Sequence, residues 1–198
     1  MKVISLNYDS LNQVCENLFQ KIKSSNFKPD LILGVKSGGE YISKKIFSLI
    51  QSENYGEEQK KTLTSYHPRL EFCHPVRVSS QNKKRHLKNY LKFLPTFLLN
   101  ILRVLEAKFL FKGKARKDFL DISLPDLSDY KRILVIDDAV DSGSTLDFIN
   151  SKIRMVNSQA QIRNAVITVT RNDSSFPPDF FIFSNKTLVR FPWSIDAK

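Results

Sequence analysis

Two adjacent carboxylates, Asp137 and Asp138, end the apolar run Ile133–Ile136, and Asp141-Ser142-Gly143-Ser144-Thr145 follows at once. Neighbouring acids repel, so a buried strand end that keeps both needs a compensating partner: a cation or vicinal hydroxyls. A glycine among small hydroxyl residues lets successive backbone N–H groups turn toward one point. A helix starting there adds its N-terminal partial charge, which makes a nest for a phosphate. Ser142, Ser144 and Thr145 add hydroxyl donors. An ordinary capped turn has the same composition, because Ser and Thr cap helices well. An acid pair beside an anion nest suits a phosphorylated sugar, with the carboxylates on ring hydroxyls and the nest on the phosphate. Metal-binding α/β proteins also end strands in paired acids. A second loop, Lys36-Ser37-Gly38-Gly39, follows the apolar stretch Leu31–Val35. Its glycines allow backbone to approach a diphosphate closely, although a plain glycine-rich turn would read alike.

These loops need a scaffold. Leu11, Val14, Leu18 and Ile22 fall at helical spacing behind an Asp9-Ser10 cap signal. Leu31–Val35 reads as a strand, 40–51 as a helix and 54–69 as a polar loop. The stretch 70–80 alternates as a strand, with Pro75 implying an edge or a bulge. A buried strand over 131–138, a helix over 143–156 and a strand over 162–171 follow. Two short strands flank 184–187 near the end. Strands alternating with helices predict an α/β fold, a mostly parallel central sheet flanked by helices. In such sheets ligands bind beyond the carboxyl ends of the strands, where both suspicious loops lie.

The chain has 198 residues, enough for one domain with its own core. Its two cysteines, Cys15 and Cys73, form neither a disulfide framework nor a zinc spacing, which favours a reducing cytoplasm. No secretory leader pattern and no apolar run of about 20 residues is seen. The charge is concentrated. Between Gln81 and Lys117 stand eleven basic residues and one acid, Glu106, which account for ten of the eleven net positive charges. Within that segment, Leu94–Lys112 shows a wide apolar arc between basic flanks, as in a helix lying on an anionic membrane surface. Packing on the core or on a second subunit is the plainer option. The aliphatic arc disfavours nucleic acid as the partner.

The run Ile133-Leu-Val-Ile-Asp-Asp-Ala-Val-Asp-Ser-Gly-Ser-Thr145 resembles the phosphoribosyl-pyrophosphate (PRPP) signature of type I phosphoribosyltransferases. Lys36–Gly39 resembles that family's diphosphate loop, in which a non-proline peptide is often cis. Phe191-Pro-Trp193 resembles the end of the hood in the 6-oxopurine members, although both rings would equally serve as core packing. The resemblance implies a single domain over 1–198, with a hood over about 172–198 and an atypical insertion over about 82–118. It implies a pentosyl transferase that moves 5-phosphoribosyl from PRPP with inversion and releases pyrophosphate, with Mg²⁺ as cofactor. Asp137 and Asp138 would hold the ribose hydroxyls and stand near the metal, Asp141–Thr145 would bind the 5-phosphate and Lys36, Ser37, Gly38 and Gly39 the diphosphate. Asp141 would act as general base. One of Lys83, Lys84 or Arg85 would close over the diphosphate, and Trp193 would contact the acceptor.

The chain departs from the family in two places. Purine enzymes carry a lysine to the base oxygen at the end of the strand after the PRPP helix. Arg171 stands there, and its wider fork is not a neutral exchange. The insertion occupies the catalytic-loop position. Because residues 88–117 suit an anionic membrane, the favoured acceptor is a sugar hydroxyl of a membrane lipid-linked glycan, as in polysaccharide biosynthesis. That would place the protein in the cytoplasm, peripheral to the inner face of the plasma membrane. Purine-base salvage is the alternative, and a non-catalytic PRPP-binding regulator a further one. A homodimer is left open.

Overall fold

The computed structural model describes residues 2–58, 67–77, 119–171, 174–184 and 187–194, with the side chains of 55–58, 77, 119 and 120 left aside. Six strands form one sheet in the order β4-β3-β2-β5-β6-β7, and two form another, β1-β8. The strands are β1 (Lys2–Ser5), β2 (Leu31–Val35), β3 (Arg69–Arg77), β4 (Phe119–Ser123), β5 (Arg132–Val140), β6 (Gln161–Val169), β7 (Phe180–Phe183) and β8 (Thr187–Arg190). The helices are α1 (Tyr8–Ser24), α2 (Gly39–Glu58) and α3 (Ser144–Val156). All pairings in the large sheet are parallel except β3 with β4. This is the expected α/β architecture, and it matches the type I phosphoribosyltransferase fold.

β2 and residues Ile133–Asp137 of β5 are buried throughout. That explains their unbroken apolar runs, because a central parallel strand faces packing on both sides. α1 and α2 cover one face of the sheet, where Leu11, Leu18, Ile42 and Ile46 meet Ile32, Leu134 and Ile136. α3 covers the other, where Leu146, Ile149 and Ile153 meet Leu33, Val135 and Val166. Each such side chain contributes about 1.5–3 kcal/mol when taken fully from water.

Several boundaries differ from expectation. α1 is capped by Asn7, not by the Asp9-Ser10 pair: Ser10 N–H donates to Asn7 Oδ1 (2.8 Å) and Asn7 N–H to Ser10 Oγ (3.0 Å). Ser10 is thus the reciprocal partner in a capping box. α2 runs on to Glu58 through residues expected to be loop. Pro75 is not on an edge strand. Instead β3 changes partner: Arg69–Cys73 pair with β2, and His74–Arg77 pair with β4. Pro75 therefore lies beyond the reach of the β2 ladder, and the register shifts just after it, between Val76 and Arg77. β1 and β4 were not legible. β1 is too short to show a period, and β4 follows the charged segment without a turn signal.

Candidate active site

The parallel order puts β2 and β5 side by side, with Leu31 opposite Ile133 and Gly34 opposite Ile136. The loops leaving their carboxyl ends therefore meet. A Cβ on Gly38 would lie 2.3 Å from the Asp138 carboxylate, and one on Gly39 would lie 2.2 Å from the Ile136 carbonyl oxygen. The glycine pair is what permits this packing. The Lys36–Ser37 peptide is cis, the form the family resemblance led us to expect in this loop. The Lys36 ammonium lies 5.9 Å from the centre of the Phe72 ring.

The acid pair is held by hydrogen bonds from its surroundings. Asp138 N–H donates to Asp137 Oδ1 at 2.8 Å. Asp138 keeps part of its surface open, yet burial pushes its pKa above the usual carboxylate range; the Trp193 indole N–H, the Ala139 amide and the Asp137 carboxyl bond to it and pull the other way. Asp137 is 8% exposed, and its charge helps to raise the nearby Cys73 thiol. The two carboxyls form one unit with one set of donors.

The next loop turns at a glycine. Gly143 caps α3 at φ +84°, a left-handed conformation that favours glycine, and offers no side-chain hydrogen bond to the first turn. The Ser or Thr cap that an ordinary turn would use is therefore not what ends this loop. Ser142 Oγ donates to Ser144 Oγ at 3.0 Å. Ser175 fixes the loop from outside, donating its N–H (3.2 Å) and Oγ (3.0 Å) to the Ser142 carbonyl. Asp141 accepts from Thr170 Oγ1 at 3.0 Å, and Thr170 N–H donates to the Val140 carbonyl at 2.9 Å. Arg171 follows directly at the end of β6.

The structure thus brings Gly38 and Gly39 against Ile136–Asp138 and Trp193 against Asp138, and it ties Asp141, which opens the run to Thr145, to Thr170, the residue before Arg171. Lys83, Lys84 and Arg85, with residues 88–117, lie outside the described residues. Sequence reasoning missed Thr170, Ser175 and Tyr41, whose roles arise only from contacts across the chain. Thr170 alone had a local hint, a polar residue at the end of a buried strand, before Arg171.

Neighbouring strands of a parallel sheet thus end in an acid pair, a glycine-capped turn and a glycine-pair loop. The phosphoribosyl transferase domain family matches residues 7–198, and the chain belongs to it. Among solved structures, a purine phosphoribosyltransferase from Pyrococcus horikoshii shares 18% identity over 98% of this chain and 95% of its own, with a TM-score of 0.60. The xanthine-guanine-hypoxanthine phosphoribosyltransferase of Helicobacter pylori shares 14% over 98% and 95%, with a TM-score of 0.64. A Neisseria gonorrhoeae protein with bound ppGpp shares 14% over 99% and 92%, with a TM-score of 0.60. No curated protein matches the chain.

These relatives in fold correct one expectation. The glycan acceptor was inferred from the basic segment, and the two enzymes that share the fold over nearly their whole length are purine phosphoribosyltransferases. The segment that carried the glycan reading lies outside the described residues, and no described feature points to a sugar acceptor. Among the described residues no helix is long and apolar enough to cross a membrane.

Proposed function

We propose that the chain transfers 5-phosphoribosyl from PRPP to a ring nitrogen of a 6-oxopurine base. The observation that carries this reading is the packing of Gly38 on Asp138, which sets the glycine loop against the acid pair that leads into Asp141–Thr145. The purine acceptor is supported by the two purine enzymes of like fold and by Arg171 and Trp193, the first following Thr170, which bonds to Asp141, and the second bonded to Asp138. A guanidinium fork pairs with O6 and N7 of a 6-oxopurine in one plane, so arginine in place of the family's lysine suits this base. An indole offers a flat apolar face to the ring.

In this reading Asp137 and Asp138 accept from the ribose hydroxyls, Asp141–Thr145 take the 5-phosphate, and the backbone of Lys36–Gly39 takes the diphosphate. The bond from C1 to the diphosphate oxygen breaks as the bond from C1 to the purine nitrogen forms on the opposite face. Positive charge grows on the ribose, and the acid unit beside it is placed to stabilise that charge. Asp141, oriented by Thr170, takes the proton from the attacking nitrogen. The hood would be residues 172–198, joined by β1 through its pairing with β8.

The residues fit Mg²⁺ brought by PRPP. Among the described residues no three His, Cys, Asp or Glu groups stand close enough to hold a metal, so Asp137 and Asp138 would add at most a few oxygens to those of the substrate. When bound, Mg²⁺ supplies charge neutralisation at the leaving diphosphate. Contact of residues 88–117 with an anionic membrane is supported by sequence alone, and salt-sensitive sedimentation with anionic liposomes tests it.

The deciding assay mixes the protein with Mg·PRPP and hypoxanthine, guanine or xanthine and follows nucleotide and pyrophosphate together. Stoichiometric formation of both is expected. PRPP binding without turnover of any of the three bases would overturn the acceptor, and no PRPP binding would overturn the site.

A further inference from the structure

Tyr41, the third residue of α2, sits one turn from the cis peptide of the loop after β2 and has no part of its own in the reaction above. Its ring lies 5.9 Å from that of Trp193 at 45°, and 5.3 Å from that of Tyr8 at 51°. Its hydroxyl donates to Asn12 Oδ1 on α1 at 3.0 Å. Trp193 in turn stacks on Phe191 at 5.0 Å and 7°, and its indole N–H donates to Asp138. One indole therefore contacts the first turn after the glycine loop, the segment after β8 and the acid unit of β5.

We propose that Tyr41 is a positioning residue for acceptor binding, fixing the Trp193 ring through which the loop after β2 and the Asp138 carboxylate are coupled to the acceptor subsite. The inference rests on the reading of Asp138 as a ribose ligand and of Trp193 as the surface for the base. The geometry gives the coupling a direction. Trp193 spends its only N–H on the carboxylate that ribose hydroxyls would engage, so a change at Asp138 is felt by the indole. One face of the ring stacks on Phe191 and Tyr41 meets it at a tilt, so its plane is set by α2 as well as by the tail that carries it. Tyr41 is anchored in two ways, by its hydroxyl to α1 and by its backbone in the turn that begins at Gly39.

Trp193 is the only tryptophan of the chain, so its emission reads this position directly. Titration of the wild type with Mg·PRPP is expected to change the emission, with the same Kd that calorimetry gives. Tyr41→Leu is expected to blunt that change and to raise KM for hypoxanthine about three- to tenfold, the factor that one aromatic pair carries. Its kcat and its KM for PRPP stay near wild type. Tyr41→Phe, which keeps the ring, restores the wild-type values. Trp193→Phe keeps a ring between Tyr41 and Phe191 but has no N–H to orient Asp138. By calorimetry it is expected to weaken PRPP by about 10- to 150-fold through the lost hydrogen bond to a charged group. Calorimetric binding of PRPP with no change in wild-type emission would overturn the relay and leave the proposed function standing. Equal loss in kcat and both KM values for Tyr41→Leu would reduce Tyr41 to packing and overturn its positioning role. Unchanged PRPP affinity in Trp193→Phe would remove the link to Asp138. No PRPP binding at all would take down the underlying reading and the relay with it.

Discussion

Gly38→Ala is the smallest change that strikes the site without touching a charged group. The added methyl would stand 2.3 Å from Asp138 Cγ and Oδ2 and 2.6 Å from Oδ1, where ordinary contact begins near 3.4 Å. A displacement of about 1 Å is needed, and Asp138 is tied by the Trp193 indole and the Ala139 amide. Retreat breaks one of those bonds, and a hydrogen bond to a charged group contributes about 1.5–3 kcal/mol. PRPP affinity should therefore fall by roughly 10- to 150-fold at 1.4 kcal/mol per tenfold. Calorimetry with Mg·PRPP measures this, with thermal unfolding in parallel. Gly34→Ala provides the contrast. Its methyl would meet Ser43 Oγ at 2.3 Å and the Phe72 ring at 2.9 Å, away from the acids. Overpacking of that kind costs about 1–3 kcal/mol of stability, read as a lower Tm, with PRPP affinity largely kept. If Gly38→Ala bound PRPP as the wild type does, the glycine loop and the acid unit would not face the same ligand.

Asp141→Asn should lower kcat by about 100-fold or more with PRPP binding retained, and Thr170→Val should follow in the same direction to a smaller extent; full turnover in both would reduce Asp141 to a turn residue. Gly143→Ala forces a side chain into φ +84° and sets a Cβ 2.8 Å from the Phe176 backbone, so PRPP affinity and Tm should fall together, and a neutral outcome would deny the nest its shape. Burial pushes Cys15 and Cys73 up to about 12. Because the folded protein favours the neutral thiol, the stability that this contributes is whole below the ordinary value of 9.0 and is lost as pH climbs toward 12. Iodoacetamide at pH 8 should therefore leave both unmodified until denaturant is added, and rapid native labelling would contradict the burial.

The parts of this protein that were legible in its sequence are those in which the signal is local. β5 announced itself because a strand buried on both faces must be apolar residue after residue. The two loops were visible because glycine and small hydroxyl residues are hard to explain otherwise beside paired acids. Tyr41, Thr170 and Ser175 were not legible, because each matters only through a partner distant in the chain: Trp193, Asp141 and Ser142. Asn7 was passed over as a cap because its reciprocal partner, Ser10, had already been taken for the cap itself. The acceptor was misjudged for a different reason. Net charge and apolarity describe what a segment can lie against, and they carry no information about what the neighbouring site transfers.

The change of partner within β3 has a topological consequence. Val76 stands opposite Asp121 and Arg77 opposite Phe119, so the chain leaves the sheet and returns to it across a single strand spacing of about 5 Å. Both ends lie at the carboxyl side of the parallel strands, the rim that carries the active-site loops. Joining Arg77 to Phe119 directly by a four-residue turn would therefore keep the β3–β4 register, and the parallel strands that aim the acids and the nest would stay as they are.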